Sequence, residues 1–285
     1  MEQFDILIIG GGAAGIAAAK AAKGASVLLV DRKEALGGVL LQCAHRGFGK
    51  NKTGTEYTED LLRDFPESIT LALNTTVLSV SENKTALLSG KDFGRKEIGF
   101  SQVILASGCR EIPLGALNVG GTRPKGVYTA GQMQEMMNLH GIVPEGPVVI
   151  LGSGDLGLIM ANQIAEAGLS VTMVERESRC GGMARNQQCL QRLPIRLICD
   201  DTISEIHGHP RITGCTTQKG VYIPCSTLLV AVGLRPEREL VFGLGNPDWL
   251  HICGNCNTVH PMVEAVVNEG KQAGKAAIEQ SGGAL

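Results

Sequence analysis

The sequence predicts an α/β protein with two parallel sheets, because one strand–turn–helix pattern occurs twice in its 285 residues. In each copy, a short run of Ile, Leu and Val is followed by the spacing G-x-G-x-x-G and then by an apolar helix. A buried strand that leads through a glycine turn into a helix begins a βαβ unit, whose strands pair in parallel. The glycines are Gly10, Gly12 and Gly15 in the first copy and Gly152, Gly154 and Gly157 in the second.

The glycine spacing predicts a dinucleotide site at the start of each helix. The first glycine allows a tight turn, the second lets the backbone approach a pyrophosphate, and the third lets helix and strand pack closely. The helix N-terminus then offers free N–H groups and a positive dipole end to phosphate. An acidic residue for the adenosine ribose is expected about 20 positions further on, where Asp31 and Glu175 end the next apolar runs. Two sites predict two cofactors, most simply FAD and NAD, and the Glu175 carboxylate favours NAD(H) because it repels the 2′-phosphate of NADP(H).

The remaining elements follow in chain order. A helix is predicted over 13–23, an antiparallel meander over 68–105, and a short helix after the Pro-Lys-Gly turn within 122–137. After the second βαβ unit, the short runs ITGCTTQ and VYIPCSTLLVAVG predict another meander over 212–233. A helix is predicted over 261–280, since proline suits a first helical turn. One face of that helix consists of Val263, Val266, Val267, Gly270 and Gly274.

Composition narrows the class of partner. The formal net charge is −2 and there is no basic block, so we expect no binding to nucleic acid or to an anionic membrane. No apolar run approaches the roughly 18 residues needed to span a bilayer, and no signal-peptide pattern precedes the first strand. We therefore expect a cytoplasmic protein without a membrane span, whose nine cysteines are mostly buried thiols.

Three further segments carry a family resemblance. Flavoproteins with two dinucleotide domains have a characteristic turn where the chain leaves each domain. Two segments resemble these turns, ILASGCREIP (104–113) and LLVAVGLRPEREL (228–240). ICGNCNTVHPMVEAVVNEGKQAGKAA (252–277) resembles the segment that returns to the flavin. In this order the motifs resemble the pyridine nucleotide–disulphide oxidoreductase superfamily. Within it, GGVLLQCAHRGFG (37–49), GSGDLGLIMAN (152–162) and CGN…VH (253–260) are most similar to the FAD/NAD-dependent dehydrogenases associated with anaerobic glycerol-3-phosphate dehydrogenase. The α subunits of opine and cyanide-producing dehydrogenases are more distantly similar.

The resemblance implies two Rossmann-like domains, each with a parallel sheet and a meander, the second inserted in the first. The FAD domain would consist of 1–113 and 231–285, and the NAD domain of 114–230. Hydride would pass between NAD(H) and FAD, and the electron donor or acceptor would be a partner dehydrogenase subunit. Asn255 departs from the aspartate of many relatives, and the 236–252 stretch is short, so loss of FAD is an open alternative. Further cofactor contacts are implied for Arg32, Gly38, Ser107, Gly108, Gly233, Gly254 and Asn255.

The sequence offers three candidate catalytic residues, fewer than the candidate cofactor contacts. His260 and Met262 lie at the start of the helix that is expected to point at the flavin. There, His260 either tunes the redox properties of the flavin ring or only caps the helix. Cys43 and His45 follow the Gly-Gly turn. Cys43 would be either a peroxide-reducing thiolate, which supports a stand-alone NADH oxidase or peroxidase, or a packed thiol, the interpretation we favour. A third alternative for the whole chain is a non-catalytic nucleotide-binding scaffold.

Disulphide-reductase and metal chemistry are not expected. The segment after the Gly-Gly turn holds only Cys43, and 114–227 contains no C-x-x-C. Cys253 and Cys256 do form a C-x-x-C, near His251 and His260. A structural zinc usually takes ligand pairs from two separated segments, so we predict no metal here. A dithiol redox role for the pair stays a minority alternative.

Overall fold

The computed structural model describes residues 1–92 and 94–281, which form two compact units. The first unit consists of Met1–Arg110 and Arg235–Leu285, and the second of Glu111–Leu234. The boundaries inferred from the sequence were after 113 and after 230, so each lies a few residues from the structural boundary. Short strands at Cys109–Glu111 and Leu234–Pro236 pair with each other where the chain passes between the units.

The described residues contain the following strands and helices in chain order. The strands are β1 (Glu2–Ile9), β2 (Val27–Val30), β3 (Thr70–Ala72), β4 (Thr75–Val80), β5 (Thr85–Gly90), β6 (Gly94–Leu105), β7 (Cys109–Glu111), β8 (Gly120–Gly121), β9 (Val127–Thr129), β10 (Val148–Leu151), β11 (Val171–Val174), β12 (Ile195–Ile198), β13 (Ile203–His207), β14 (Gly214–Thr217), β15 (Tyr222–Pro224), β16 (Thr227–Val230), β17 (Leu234–Pro236) and β18 (Leu250–Ile252). The helices are α1 (Ala13–Ala21), α2 (Gly54–Leu62), α3 (Ala130–His140), α4 (Asp155–Glu166), α5 (Ala184–Gln187), α6 (Cys189–Arg192) and α7 (Val263–Ser281). None of these helices is long and apolar enough to cross a membrane.

The sheet of the first unit combines a parallel part and a meander. Its order is β3-β2-β1-β6-β5-β4, with β18 paired to β6. Pairing is parallel from β3 to β6 and at β18, and antiparallel from β6 to β4. The meander predicted over 68–105 is therefore wrong at its start, since β3 extends the parallel sheet beside β2. A turn at Asn74, with φ at +49°, separates β3 from β4.

The second unit repeats this plan with two separate sheets. A parallel sheet has the order β12-β11-β10-β16-β9, and a second sheet has the order β15-β14-β13-β8. The meander predicted over 212–233 is wrong at both ends. Its last strand, β16, pairs in parallel with β10, and its true first strand is β13, outside the predicted range. The fold class, an α/β protein with two Rossmann-like units, is confirmed.

Helix α7 packs directly on α1, and the helix predicted over 261–280 is thereby confirmed. Glycine is required at two positions of the predicted face, because a Cβ on Gly270 or Gly274 would overlap the carbonyl oxygens of Ala14 and Ala18 in α1. Val267 is buried in the same contact. The small side chains of α1 let α7 approach it closely, and both helices pack on the sheet, so that α7 fixes the helix that follows the first glycine motif.

Candidate functional site

The first glycine loop, residues 10–15, leaves an open space at the start of α1. A Cβ on Gly10 would overlap the Ala106 carbonyl oxygen, and one on Gly15 would overlap that of Gly10. A Cβ on Gly12 would meet no atom within 4 Å. No side chain caps the helix at Gly12. The fold therefore requires the outer two glycines, whereas the middle one borders free space beside uncapped N–H groups.

The second glycine loop, residues 152–157, is built in the same way. Gly152 has a φ of +100°, and a Cβ there would overlap the Ala231 carbonyl oxygen. A Cβ on Gly157 would lie 2.7 Å from the Gly152 oxygen, whereas one on Gly154 would meet nothing within 4 Å. Helix α4 also has no side-chain cap at Gly154. Both loops thus have the open middle position that a pyrophosphate needs.

Asp31 lies at the end of β2 beside the first glycine loop. Its Oδ2 accepts a hydrogen bond from the Gly11 N–H (2.6 Å), and its Oδ1 accepts one from the Lys33 N–H (2.8 Å). The carboxylate is thereby held in one orientation, with acceptor sites left for ribose hydroxyls. Arg32, the next residue, is exposed, and its guanidinium lies 3.9 Å from the Glu237 carboxylate.

Glu175 has the corresponding place in the second unit. Its Oε2 accepts hydrogen bonds from the Ser153 N–H (2.8 Å) and from the Ser153 hydroxyl (2.6 Å), and its Oε1 accepts one from the Glu177 N–H (3.0 Å). Burial by itself raises the pKa of Glu175, but these hydrogen bonds outweigh it, and the pKa lies below its usual value. The group is therefore an oriented carboxylate at neutral pH.

A Gly-Gly pair packs on each glycine loop, and only the first was anticipated. The Gly37 N–H donates to the Gly11 carbonyl (2.8 Å), and a Cβ on Gly38 would lie 3.1 Å from the Gly12 Cα. In the second unit the Gly181 N–H donates to the Ser153 hydroxyl (2.8 Å). Each pair begins six residues after its acidic residue, Asp31 or Glu175. That repeated spacing was the sequence signal for Gly181.

The predicted residues after β6 and β16 lie in turns. The Ser107 hydroxyl donates to the Glu237 carbonyl (2.6 Å), and the Glu237 N–H donates to the Gly108 carbonyl (3.0 Å). These bonds bring residue 237 beside the end of β6. In the second unit, the Gly233 carbonyl accepts from the Ile112 N–H (3.0 Å).

The return segment, residues 253–260, lies against the start of α1. A Cβ on Gly254 would be 2.7 Å from the Ala14 Cβ. The Asn255 side-chain oxygen accepts from the His260 N–H (3.0 Å). The His260 Nε2 lies 2.6 Å from Oε1 of Glu269, a residue that sequence reasoning missed. The structure thus brings Gly254, Asn255 and His260 together beside the first glycine loop.

Cys43 and His45 are packed inside the first unit. Cys43 is 8% exposed, and its thiol donates to the Val39 carbonyl (3.3 Å). Burial raises the pKa of Cys43 to about 12. The His45 ring lies 5.1 Å from the Phe48 ring. Cys43 therefore has the surroundings of a packed thiol, and its raised pKa disfavours the thiolate that a nucleophile needs.

The Cys253 and Cys256 side chains point into the core. The Cys256 Sγ lies within hydrogen-bond distance of the carbonyl oxygens of Leu105 (3.2 Å) and Cys253 (3.1 Å), and burial raises the pKa of Cys253. His251 lies 3.1 Å from the Gln102 side chain. Within the described residues, no three His, Cys, Asp or Glu side chains are placed to hold one metal ion.

Known proteins resemble the chain in sequence and in fold. The HcnB component of the hydrogen cyanide synthase of Pseudomonas protegens is 30% identical over 203 residues, which cover 67% of this chain and 42% of that protein. An opine oxidase component of Agrobacterium tumefaciens is 34% identical over 182 residues, 59% of this chain and 36% of that protein. The chain thus spans less than half the length of these relatives. Thioredoxin reductase of Lactococcus lactis has the same fold, with a TM-score of 0.80, 19% identity and coverage of 98% of this chain and 99% of that one.

The family is shown by a match over most of the chain. The family model described as pyridine nucleotide-disulphide oxidoreductase matches residues 4–248. Its members are FAD-dependent oxidoreductases of NAD(P)H, so the predicted enzyme class and its two cofactors are confirmed at the level of the family. Both glycine loops have the open middle position that such cofactors require. The chain belongs to the pyridine nucleotide-disulphide oxidoreductase family.

Proposed function

We propose that the chain transfers hydride between NAD(H), bound at the second glycine loop, and FAD, bound at the first. The observation that carries this proposal is the repeated open space at Gly12 and Gly154, each beside an uncapped helix N-terminus. When bound, the two cofactors supply the hydride chemistry, and the protein supplies binding and orientation.

The first unit offers FAD three kinds of contact. The backbone at Gly12 and the N–H groups of α1 suit the pyrophosphate. The Asp31 carboxylate suits the adenosine ribose, because backbone N–H groups already hold it in place. The return segment, with Gly254 and Asn255, lies against the same helix and suits the remainder of FAD.

The second unit offers the matching contacts to NAD(H). The backbone at Gly154 and the N–H groups of α4 suit the pyrophosphate. Glu175, held by Ser153, suits the adenosine ribose and repels a 2′-phosphate. The nearby Arg176 and Arg179 are exposed and soften that preference for NAD(H) over NADP(H).

Two alanine variants test which loop holds which cofactor. Gly12→Ala and Gly154→Ala place a methyl group where the structure has open space, at backbone angles that alanine adopts. We expect Gly12→Ala to fold but to lose FAD, and Gly154→Ala to keep FAD but to lose its reduction by NADH. Gly115→Ala, at an exposed glycine with equally open surroundings, is the matched control. Wild-type FAD binding by Gly12→Ala would contradict the assignment.

We further propose that the bound FAD exchanges electrons with a partner dehydrogenase subunit. The HcnB and opine oxidase relatives are subunits of larger enzymes, and the sequence resemblance implies glycerol 3-phosphate as the partner's substrate. This last step rests on family analogy. Glycerol 3-phosphate added to the FAD-loaded chain alone should leave the flavin spectrum unchanged. Its reduction would show that the chain oxidises this substrate without a partner.

A further inference from the structure

Glu269 joins three groups of the return segment, although it lies on α7. Its Oε2 accepts hydrogen bonds from the Gly254 N–H (2.8 Å) and from the Asn257 side-chain amide (3.4 Å). Its Oε1 lies 2.6 Å from the His260 Nε2. The side chain is only 23% exposed. A half-buried carboxylate with both oxygens engaged holds its partners in one arrangement.

The partners of Glu269 lie beside the first glycine loop. Gly254 packs on Ala14, two residues after Gly12. Its φ of +70° is a conformation that glycine adopts easily, and the hydrogen bond to Glu269 fixes it there. From the other side, the Arg238 guanidinium donates to the carbonyls of Cys256 and Asn257. The return segment is therefore held by a carboxylate and a guanidinium, both from outside the segment.

The contact with Glu269 also decides which nitrogen of His260 carries a proton. An ionised carboxylate only accepts hydrogen bonds. The Nε2 of His260 must therefore be the protonated nitrogen that donates to Glu269, and Nδ1 is turned away from the carboxylate. The backbone of the same residue is fixed as well, because its N–H donates to the Asn255 side chain.

We propose that Glu269 is a positioning residue for FAD, which holds the Gly254 peptide and the His260 ring in their binding arrangement before FAD arrives. This inference rests on the proposed function, since it takes the return segment as part of the FAD site. Glu269 acts through Gly254 and His260.

Three substitutions separate the contact of Glu269 with Gly254 from its contact with His260. Glu269→Ala removes both. Glu269→Asp keeps the charge but is one methylene too short to reach Gly254 and His260 together. In Glu269→Gln the amide oxygen faces the Gly254 N–H, so the NH₂ group donates to His260 and moves the ring proton to Nδ1. Glu279→Gln, an exposed carboxyl on the same helix, is the matched control.

Two measurements detect the effects of these substitutions, one on the His260 ring and one on FAD binding. A ¹⁵N NMR spectrum of the histidine rings in the chain without FAD should show His260 protonated at Nε2 in the wild type and at Nδ1 in Glu269→Gln. Titration with FAD should show Kd raised about tenfold or more in Glu269→Ala and Glu269→Asp, and changed less than about threefold in Glu269→Gln, which keeps the Gly254 bond. The Glu279→Gln control should match the wild type in both.

The outcomes distinguish this inference from the proposed function. A wild-type chain that binds no FAD overturns both. If the wild type binds FAD and Glu269→Asp binds it equally well, the positioning role is wrong while the proposed function stands. A wild-type His260 protonated only at Nδ1 likewise overturns the role of Glu269. Should Glu269→Ala fail to fold, Glu269→Asp and Glu269→Gln still give these answers.

Discussion

The thiol of Cys43 is buried and donates to the Val39 carbonyl, and burial raises its pKa to about 12. A raised pKa means that the thiol stays protonated at neutral pH and forms a thiolate only as the pH approaches that value. We expect Cys43→Ser to leave NADH-dependent flavin reduction and any peroxide turnover within about twofold of wild type. Stopped-flow absorbance and a peroxide assay measure the two rates. A loss of peroxide turnover in this variant would revive the peroxidase alternative.

The Glu175 carboxylate should set the preference between NADH and NADPH. We expect Glu175→Ala to weaken NADH binding by about tenfold, which corresponds to the loss of about one charge-assisted hydrogen bond. The difference in affinity between NADH and NADPH should therefore become smaller. The pKa of Glu175 lies below its usual value. Since a lowered pKa keeps the carboxylate ionised, NADH affinity should stay flat from about pH 8 to about pH 5 and fall only in stronger acid.

Titration of FAD-loaded protein with each nucleotide measures this preference. Glu166→Ala is the control, because Glu166 is an exposed carboxylate at the C-terminal end of α4 that pairs with Arg192 and not with Arg176 or Arg179. An unchanged NADH-to-NADPH ratio in Glu175→Ala would show that the exposed arginines, and not this carboxylate, choose the nucleotide.

The close packing of helices α1 and α7 requires glycine on α7. A Cβ at Gly270 would overlap the Ala14 carbonyl oxygen, so Gly270→Ala must push the two helices apart. We expect the free energy of unfolding to fall by about 1–3 kcal/mol, as in other overpacked cores, and FAD to bind more weakly because α1 begins at the first glycine loop. Urea denaturation measures the stability. Asn268→Ala, at an exposed neighbour on α7, should change it little. An equally stable Gly270→Ala would mean that the helices lie further apart than described.

Elements whose signal is local were predictable from the sequence, and those fixed by distant partners were not. The glycine loops, Asp31 and Glu175 follow from short spacings, and α7 from its apolar face. Strand β3 was assigned to the wrong part of its sheet because the apolar run continues across the turn at Asn74. Strand β16 reads like the end of a meander, and only its pairing with β10 places it in the parallel sheet.

The residues of the candidate site also divide into those predictable from a local sequence signal and those fixed by distant partners. Asn255 and His260 were predictable as neighbours along the chain. Glu269 was not, because its contact with Gly254 depends on how α7 lies against the return segment. Gly181 could have been found, since both Gly-Gly pairs follow an acidic residue at the same distance.

The whole molecule repeats one binding device, in which an open glycine, an uncapped helix and an oriented carboxylate lie together in each unit. Two such sites account for a flavin and a nicotinamide in one chain. We propose that electrons pass between them.

The visible spectrum of the FAD-loaded chain, taken before and after anaerobic addition of NADH, tests that claim most directly. We expect an absorbance band at about 450 nm, typical of a bound flavin, that bleaches when NADH is added and returns with an oxidant. A chain that stays colourless after incubation with FAD, or a flavin band that NADH leaves unchanged, would contradict it.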